Sequence, residues 1–189
     1  MSQFLRALTH VKRLAVSDAT LKSLSFAEDL LGNLPTFHNT KQLIMTSGET
    51  ADKALIALLK AIPNLESLVF DMDPPCSDDE EEDYVAGNNA DGELNLDNKD
   101  DDWKLDLVTP GCLLVHLKSV CFKDFTGNPG EIKLVQLILK IAKALQTMTI
   151  SSFHYSALGN RKSKELEAEI TSLPRASTSC VFKFPSWHS

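Results

Sequence analysis

The chain has 189 residues, of which 43% are hydrophobic, and a formal net charge of −7. This length and apolar content predict one domain with a sizeable core. The sequence has no run of 18 apolar residues and no signal-peptide pattern at its start. We therefore expect a cytoplasmic or nuclear protein without a membrane span.

The negative charge is concentrated in residues 73–102, which contain thirteen acidic residues and one lysine. This segment carries −12, so the rest of the chain carries +5. A run this polar cannot bury enough apolar surface to fold, which predicts an acidic disordered loop. The body is too weakly basic to suggest nucleic-acid binding. Within the loop, Ser77 begins the motif Ser-Asp-Asp-Glu at 77–80 and is a candidate phosphosite; the alternative is an insertion that only keeps the protein soluble.

One six-residue pattern of apolar residues at its first, fourth and sixth positions recurs along the chain and predicts strands. It is found at 11–16, 40–45, 65–70, 117–122 and 145–150, with Thr40 the weakest match because it is polar. Its central positions are separated by 29, 25, 52 and 28 residues. Leucine-rich repeats have periods of roughly 20–29 residues, and the interval of 52, which spans the acidic loop, equals about two periods.

Between these strands, apolar residues recur at helical spacing, which predicts helices at 26–34, 51–62 and 131–145. Apolar–proline steps at Leu34-Pro35, Ile62-Pro63 and Leu173-Pro174 end helical stretches, and a last strand is predicted at 180–184. The fold class predicted is α/β, a leucine-rich-repeat solenoid with a curved sheet on the concave side and helices on the convex side. The alternative is an ordinary α/β sandwich in which strands and helices merely alternate.

Alternation along each strand places every second side chain on the concave face, which is the candidate binding surface. Its middle column is Ala15, Ile44, Val69, Cys121 and Thr149. The flanking columns are Arg13, Gln42, Ser67, Ser119 and Thr147 on one side and Ser17, Thr46, Asp71, Lys123 and Ser151 on the other. A half-apolar column between polar ones suits a protein or peptide ligand; the alternative is a solvated face that binds nothing.

The sequence offers no candidate catalytic, cofactor-binding or metal-binding residue. The four cysteines form no Cys-x-x-Cys pair, and the five histidines show no ligand spacing. The glycine-rich, serine-elbow and His-Glu-x-x-His motifs of common enzymes are absent from the sequence. We therefore expect a binding module with no cofactor and no enzymatic activity.

Residues 103–184 carry further motifs in a fixed order. They are Trp103, Pro-Gly-Cys-Leu at 110–113, Leu-Lys-Ser-Val-Cys-Phe-Lys-Asp-Phe-Thr-Gly at 117–127, Glu131, Leu-Gln-Thr-Met-Thr-Ile at 145–150, Leu-Pro-Arg-Ala-Ser at 173–177 and Cys180. In this order they resemble the FBD domain at the C-terminus of plant F-box proteins with leucine-rich repeats. Residues 1–72 resemble the repeats that usually precede that domain.

The resemblance implies the substrate-recognition part of a cullin-based ubiquitin ligase, with an unknown target protein and, through an F-box, the Skp adaptor and cullin as partners. The Leu-Pro-x-Asp/Glu-Ile/Leu opening of an F-box has no match, because Leu34-Pro35-Thr36-Phe37-His38 shares only its first two residues. The alternative is a stand-alone interaction protein, or a truncated family member, without a ligase link.

The predicted organisation is therefore leucine-rich repeats at 1–72, the acidic loop at 73–102, an FBD domain continuing the repeats at 103–184, and a tail at 185–189. The strand at 11–16 would be an edge strand without a neighbour. We expect either a partner or a preceding segment to cover it, and an isolated chain that is prone to aggregate.

Overall fold

The computed structural model describes residues 7–26, 32–46, 53–71, 114–151 and 159–185. These residues form six β-strands and four α-helices, preceded by a 3-10 turn at Leu8–His10. In chain order the elements are β1 (Arg13–Ser17), α1 (Asp18–Ser25), β2 (Gln42–Thr46), α2 (Lys53–Ala61), β3 (Ser67–Asp71), β4 (Ser119–Lys123), α3 (Pro129–Ile141), β5 (Thr147–Ile150), α4 (Gly159–Ser172) and β6 (Val181–Lys183).

All six strands belong to one parallel sheet, and their order in the sheet is their order in the chain. The predicted α/β class is confirmed, and each predicted strand has a counterpart. Leu68 of β3 is paired with Val120 of β4, so these strands are direct neighbours. The 52-residue interval between them therefore inserts no strand into the sheet at this point.

The strands bury alternate residues, and the buried side chains form one core with the helices. Strand residues such as Leu43, Leu68 and Phe122 belong to the same apolar cluster as helix residues such as Leu55 and Ile138. Phe70 and Phe122 occupy equivalent positions on β3 and β4, and their rings stack with centroids 4.7 Å apart. The helices thus cover one face of the sheet, and we call the opposite face, made by the first, third and fifth residue of each strand, the open face.

The start of α3 is held by a buried carboxylate. Oε2 of Glu131 accepts hydrogen bonds from the backbone N–H groups of Thr126, Gly127 and Asn128 and from the Thr126 hydroxyl, at 2.7–3.2 Å. Oδ1 of Asn128 accepts in return from the Glu131 N–H at 2.9 Å, which completes a capping box. Gly127 in this loop has φ +78°, a conformation that favours glycine.

Two of the three predicted helices have counterparts among the described residues. The helix predicted at 26–34 lies mostly outside those residues; at its two ends, Phe26 follows α1 and residues 32–34 are not helical. The helix α1 was not predicted; it begins at Asp18, where the Ser17 hydroxyl accepts from the Thr20 N–H and caps it. The prediction at 51–62 is confirmed by α2. The helix expected at 131–145 begins two residues earlier and ends at Ile141, because the backbone at Ala142 leaves the helical region.

Several predicted features lie outside the described residues. They include the acidic loop at 73–102 with Ser77, and Trp103 and Cys112 of the FBD resemblance. The proposed domain boundaries at 72, 102 and 184 stay predictions. Within the described ranges, no helix is long and apolar enough to cross a membrane.

Candidate functional site

The register of the sheet aligns the predicted face residues into columns that cross all the strands. The first column runs through Arg13, Gln42, Ser67, Ser119 and Thr147, each opposite the next. Nε of Arg13 donates to Oε1 of Gln42 at 2.6 Å, which fixes one end of the column. The five residues predicted for this column therefore lie on one face of the sheet.

The middle column is Ala15, Ile44, Val69, Cys121 and Thr149, again in direct register. Ile44, Val69, Cys121 and Thr149 are half-buried, whereas the buried strand residues on the helix side are almost fully covered. Burial raises the pKa of the Cys121 thiol above its ordinary value. This column is consequently a neutral, partly apolar stripe along the centre of the open face.

The third column is shorter than predicted. Ser17, Thr46, Asp71 and Lys123 are in register, and Nζ of Lys123 donates to Asp71 at 2.8 Å, which raises the pKa of Lys123. Ser151 does not belong to it, which corrects the prediction. β5 ends at Ile150, and Ser151 is only 7% exposed because it bonds back to the Phe122 carbonyl through its N–H and hydroxyl.

The sixth strand extends two of the columns beyond the predicted set. Val181 pairs with Thr147, and Lys183 pairs with Thr149. Val181 is 56% exposed, so it adds apolar surface at this edge of the open face. The sequence did predict a strand at 180–184, but the six-residue pattern does not extend to it, so its register with β5 was not assigned.

A second feature, which the sequence analysis missed, is a cleft along the N-terminal edge of the sheet. Its volume is about 420 Å³, and it is lined by residues that lead into β1–β4. Three of them make ion pairs: Lys41 and Lys118 contact the two oxygens of Glu66 at 2.6 and 3.0 Å. The sequence signal was the second position of the strand pattern, which is charged in four of its five copies.

The described residues include few side chains placed to bind a metal ion or to act as a nucleophile. Within those ranges, no group of three or more histidine, cysteine or acidic side chains is arranged to hold a metal ion. Cys121 and Cys180 are free thiols, and burial raises the pKa of the Cys180 thiol. The open face can contact a ligand through its exposed side chains. The fold is that of an α/β protein of successive strand–helix units with one exposed sheet face.

Comparison with known proteins finds similarity to the family that the sequence motifs resemble. The FBD family model matches residues 106–150. An Arabidopsis thaliana protein named F-box/FBD/LRR-repeat protein is 28% identical over 92% of this chain and 34% of its own length. Two further proteins of that plant are named FBD-associated F-box protein. One is 34% identical over 43% of this chain and 19% of its own length. The other is 27% identical over 98% of this chain and 37% of its own length. No solved structure matches.

The chain is therefore similar to plant proteins of the F-box/FBD family, and its FBD match covers residues 106–150. It spans about a third of the length of the two relatives that match nearly all of it. The FBD match begins between β3 and β4, outside the described residues, and ends with the last residue of β5. It therefore includes β4, α3 and the Glu131 capping box.

Proposed function

We propose that this chain is a protein-interaction module that holds a target protein on the open face of a leucine-rich-repeat solenoid, as the substrate-recognition part of an F-box-type ubiquitin ligase. The observation that carries the proposal is the open face itself, whose columns are in register across neighbouring strands and are left uncovered by the helices. The proposal contains no catalytic step by this chain.

The solenoid interpretation draws support from the sheet order. Each strand pairs with the one that precedes it in the chain, and in several intervals a helix lies between them. A protein that stacks strand–helix units in one direction has this topology, whereas parallel sheets of ordinary α/β domains are covered on both faces. The name of one relative includes leucine-rich repeats, in agreement with this interpretation.

The dimensions of the open face favour a ligand that also uses its edges. Six strands about 4.8 Å apart span about 24 Å, and a five-residue strand is about 16 Å long. The product, about 400 Å², is roughly half of the 800 Å² that each partner buries in an ordinary protein interface. A target protein would therefore contact the loops at the strand ends as well, or it would bind through one extended segment.

The chemistry of the face suits such a ligand. Ile44, Val69 and Cys121 form a half-buried stripe, and neutral polar residues such as Ser67 and Ser119 flank it. An apolar centre with a polar rim is the usual anatomy of a protein interface. Lys123 pairs with Asp71 in the third column, whereas Arg13 on β1 and Lys183 on β6 add positive charge at the two outer strands.

The test is affinity purification of the tagged chain from plant cells, followed by mass spectrometry. We expect the Skp adaptor and cullin to co-purify together with a target protein. Val69→Arg, which places a charge in the middle column, should reduce capture of the target about tenfold or more. Gln136→Arg, on the exposed side of α3, is the matched control and should leave capture unchanged.

Two outcomes would contradict parts of the proposal separately. If soluble chain captures a target but neither Skp nor cullin, the ligase role fails, and the chain acts as a stand-alone interaction protein. If Val69→Arg captures the target as well as Gln136→Arg does, the open face is not the binding surface.

A further inference from the structure

The cleft along the N-terminal edge of the sheet lies outside the open face and has a distinct charge pattern. Four charged residues line it in a row, one leading into each of β1–β4: Lys12, Lys41, Glu66 and Lys118. Exposed histidines stand beside the row on three of the same loops: His10, His38 and His116. The remaining lining residues, Asn39 and Asn64, are neutral.

The backbone fixes the spacing of this row. The N–H of Lys41 donates to the Lys12 carbonyl, that of Glu66 to the Lys41 carbonyl, and that of Lys118 to the Glu66 carbonyl, each at 2.9 Å. The parallel ladder thus continues one residue before the strands. Since neighbouring strands are about 4.8 Å apart, the row from Lys12 to Lys118 measures about 14 Å.

Two asparagine side chains join the loops that line the cleft by hydrogen bonds to backbone carbonyls. Nδ2 of Asn64 donates to the His38 carbonyl at 2.8 Å, and Nδ2 of Asn39 donates to the Thr9 carbonyl at 3.5 Å. Each of these bonds joins one strand–helix unit to the unit before it. A ligand that binds here meets groups whose positions are already set, which lowers the entropy cost of binding.

The Glu66 carboxylate lies between two ammonium groups of the cleft, those of Lys41 and Lys118. Hydrogen bonds and charge attraction from Lys41 and Lys118 hold its pKa at about 2, so it stays ionised under all ordinary conditions. Within the described part of the chain, the Lys12 ammonium makes no ion pair. The row therefore holds three positive charges against one negative charge.

We propose that this cleft binds a carboxylate-rich peptide segment of a partner protein, and that Glu66 occupies part of the site and limits its affinity. The partner's carboxylates would contact Lys12 and share Lys41 and Lys118 with Glu66. This interaction goes beyond the binding of a target on the open face, because the cleft uses a different set of residues. Either surface can function without the other.

The test uses the full chain and a fluorescent hexaglutamate peptide, with hexaglutamine as the uncharged control, and anisotropy at 50 mM NaCl. We expect hexaglutamate to bind and hexaglutamine not to bind. Hexaglutamate should bind at least tenfold more weakly at 500 mM NaCl, because salt screens the charges. Lys12→Gln/Lys118→Gln should weaken binding about tenfold. The matched control, Lys133→Gln/Lys140→Gln, removes the same charge from exposed positions of α3 and should change it less than about twofold.

The sharper prediction concerns Glu66→Gln, which removes the fixed negative charge and frees two lysines. We expect hexaglutamate to bind about threefold to tenfold more tightly, since a repelling charge a few ångströms from the ligand is lost. Circular dichroism melts establish that each variant is folded. Weaker or unchanged binding by folded Glu66→Gln, or equal losses in the two double-lysine variants, would overturn the proposal.

The acidic residues at 73–102 offer the same chemistry within this chain, so a further variant separates the two sources. It replaces the six acids at 78–83 by their amides. If the ligand is a partner, we expect the dissociation constant for hexaglutamate to stay within about twofold at 150 mM NaCl. A tenfold tightening that disappears in Lys12→Gln/Lys118→Gln would show that the chain's own acids fill the cleft, and would overturn the assignment to a partner.

Discussion

Replacing Glu131 by alanine removes an acceptor on which the loop before α3 depends. One carboxylate oxygen accepts from three backbone N–H groups and one hydroxyl, and the side chain is 3% exposed. An alanine at this position leaves those donors without their acceptor, and water that enters the vacated space replaces only part of the lost hydrogen bonds. We expect the loop to lose its conformation and the first turn of α3 to fray.

The magnitude follows from the number of donors. A buried donor that loses its partner costs about 1–3 kcal/mol, and hydrogen bonds to a charged acceptor lie in the upper half of that range. Thr126 is exposed and Gly127 and Asn128 are half-buried, so water recovers part of the loss. We therefore expect Glu131→Ala to lower the free energy of unfolding by about 3–4 kcal/mol.

Two further variants separate charge from packing. Glu131→Gln keeps the shape and one acceptor oxygen but loses the charge, so we expect a loss of about 1.5–2 kcal/mol. Glu169→Ala removes an exposed carboxylate from α4 and is the control, with an expected change below about 0.5 kcal/mol.

The assay is urea unfolding followed by far-ultraviolet circular dichroism, with the midpoint compared at constant slope. A Glu131→Ala variant within about 1 kcal/mol of the wild type would refute the reasoning. Equal losses in the alanine and glutamine variants would also refute it, because the expected loss comes from the number and charge of the hydrogen bonds rather than from side-chain volume.

The remaining predictions concern a turn and an ion pair. Gly127→Ala should lower the free energy of unfolding by about 1–3 kcal/mol, because φ is +78° there and an added Cβ would lie 2.8 Å from Cδ2 of Leu166. Gly130→Ala, inside α3, is the control and should be neutral or slightly stabilising in the same urea assay. For Glu66, carbon-13 NMR titration should give a carboxyl pKa of about 2, rising towards the ordinary 4.5 when Lys41 is replaced by methionine. Because the folded-state pKa is lowered, the contribution of this carboxylate to stability is present above pH 4.5 and is lost as pH falls towards 2; a titration midpoint near 4.5 in the wild type would contradict the structure.

The strands could be predicted because the apolar pattern that specifies each strand lies within six neighbouring residues. The pattern of Leu65, Leu68 and Phe70 repeats along the chain, and alternation alone places Val69 on the opposite face. The end of α3 and the position of α1 were less predictable. Leu145 fits the apolar stripe of a helix as well as it fits the approach to β5, and only its packing decides between the two.

The linear pattern of apolar residues was enough to predict that strands alternate with helices, and which residues of each strand face away from the core. Those properties follow from side-chain periods of about two and 3.6 residues, which a linear pattern contains. Three features became visible in the folded chain alone: β3 and β4 are neighbours across 52 residues, Ser151 turns inward, and Glu66 lies between Lys41 and Lys118. These are contacts between residues distant in the chain, and they depend on how the strand–helix units stack.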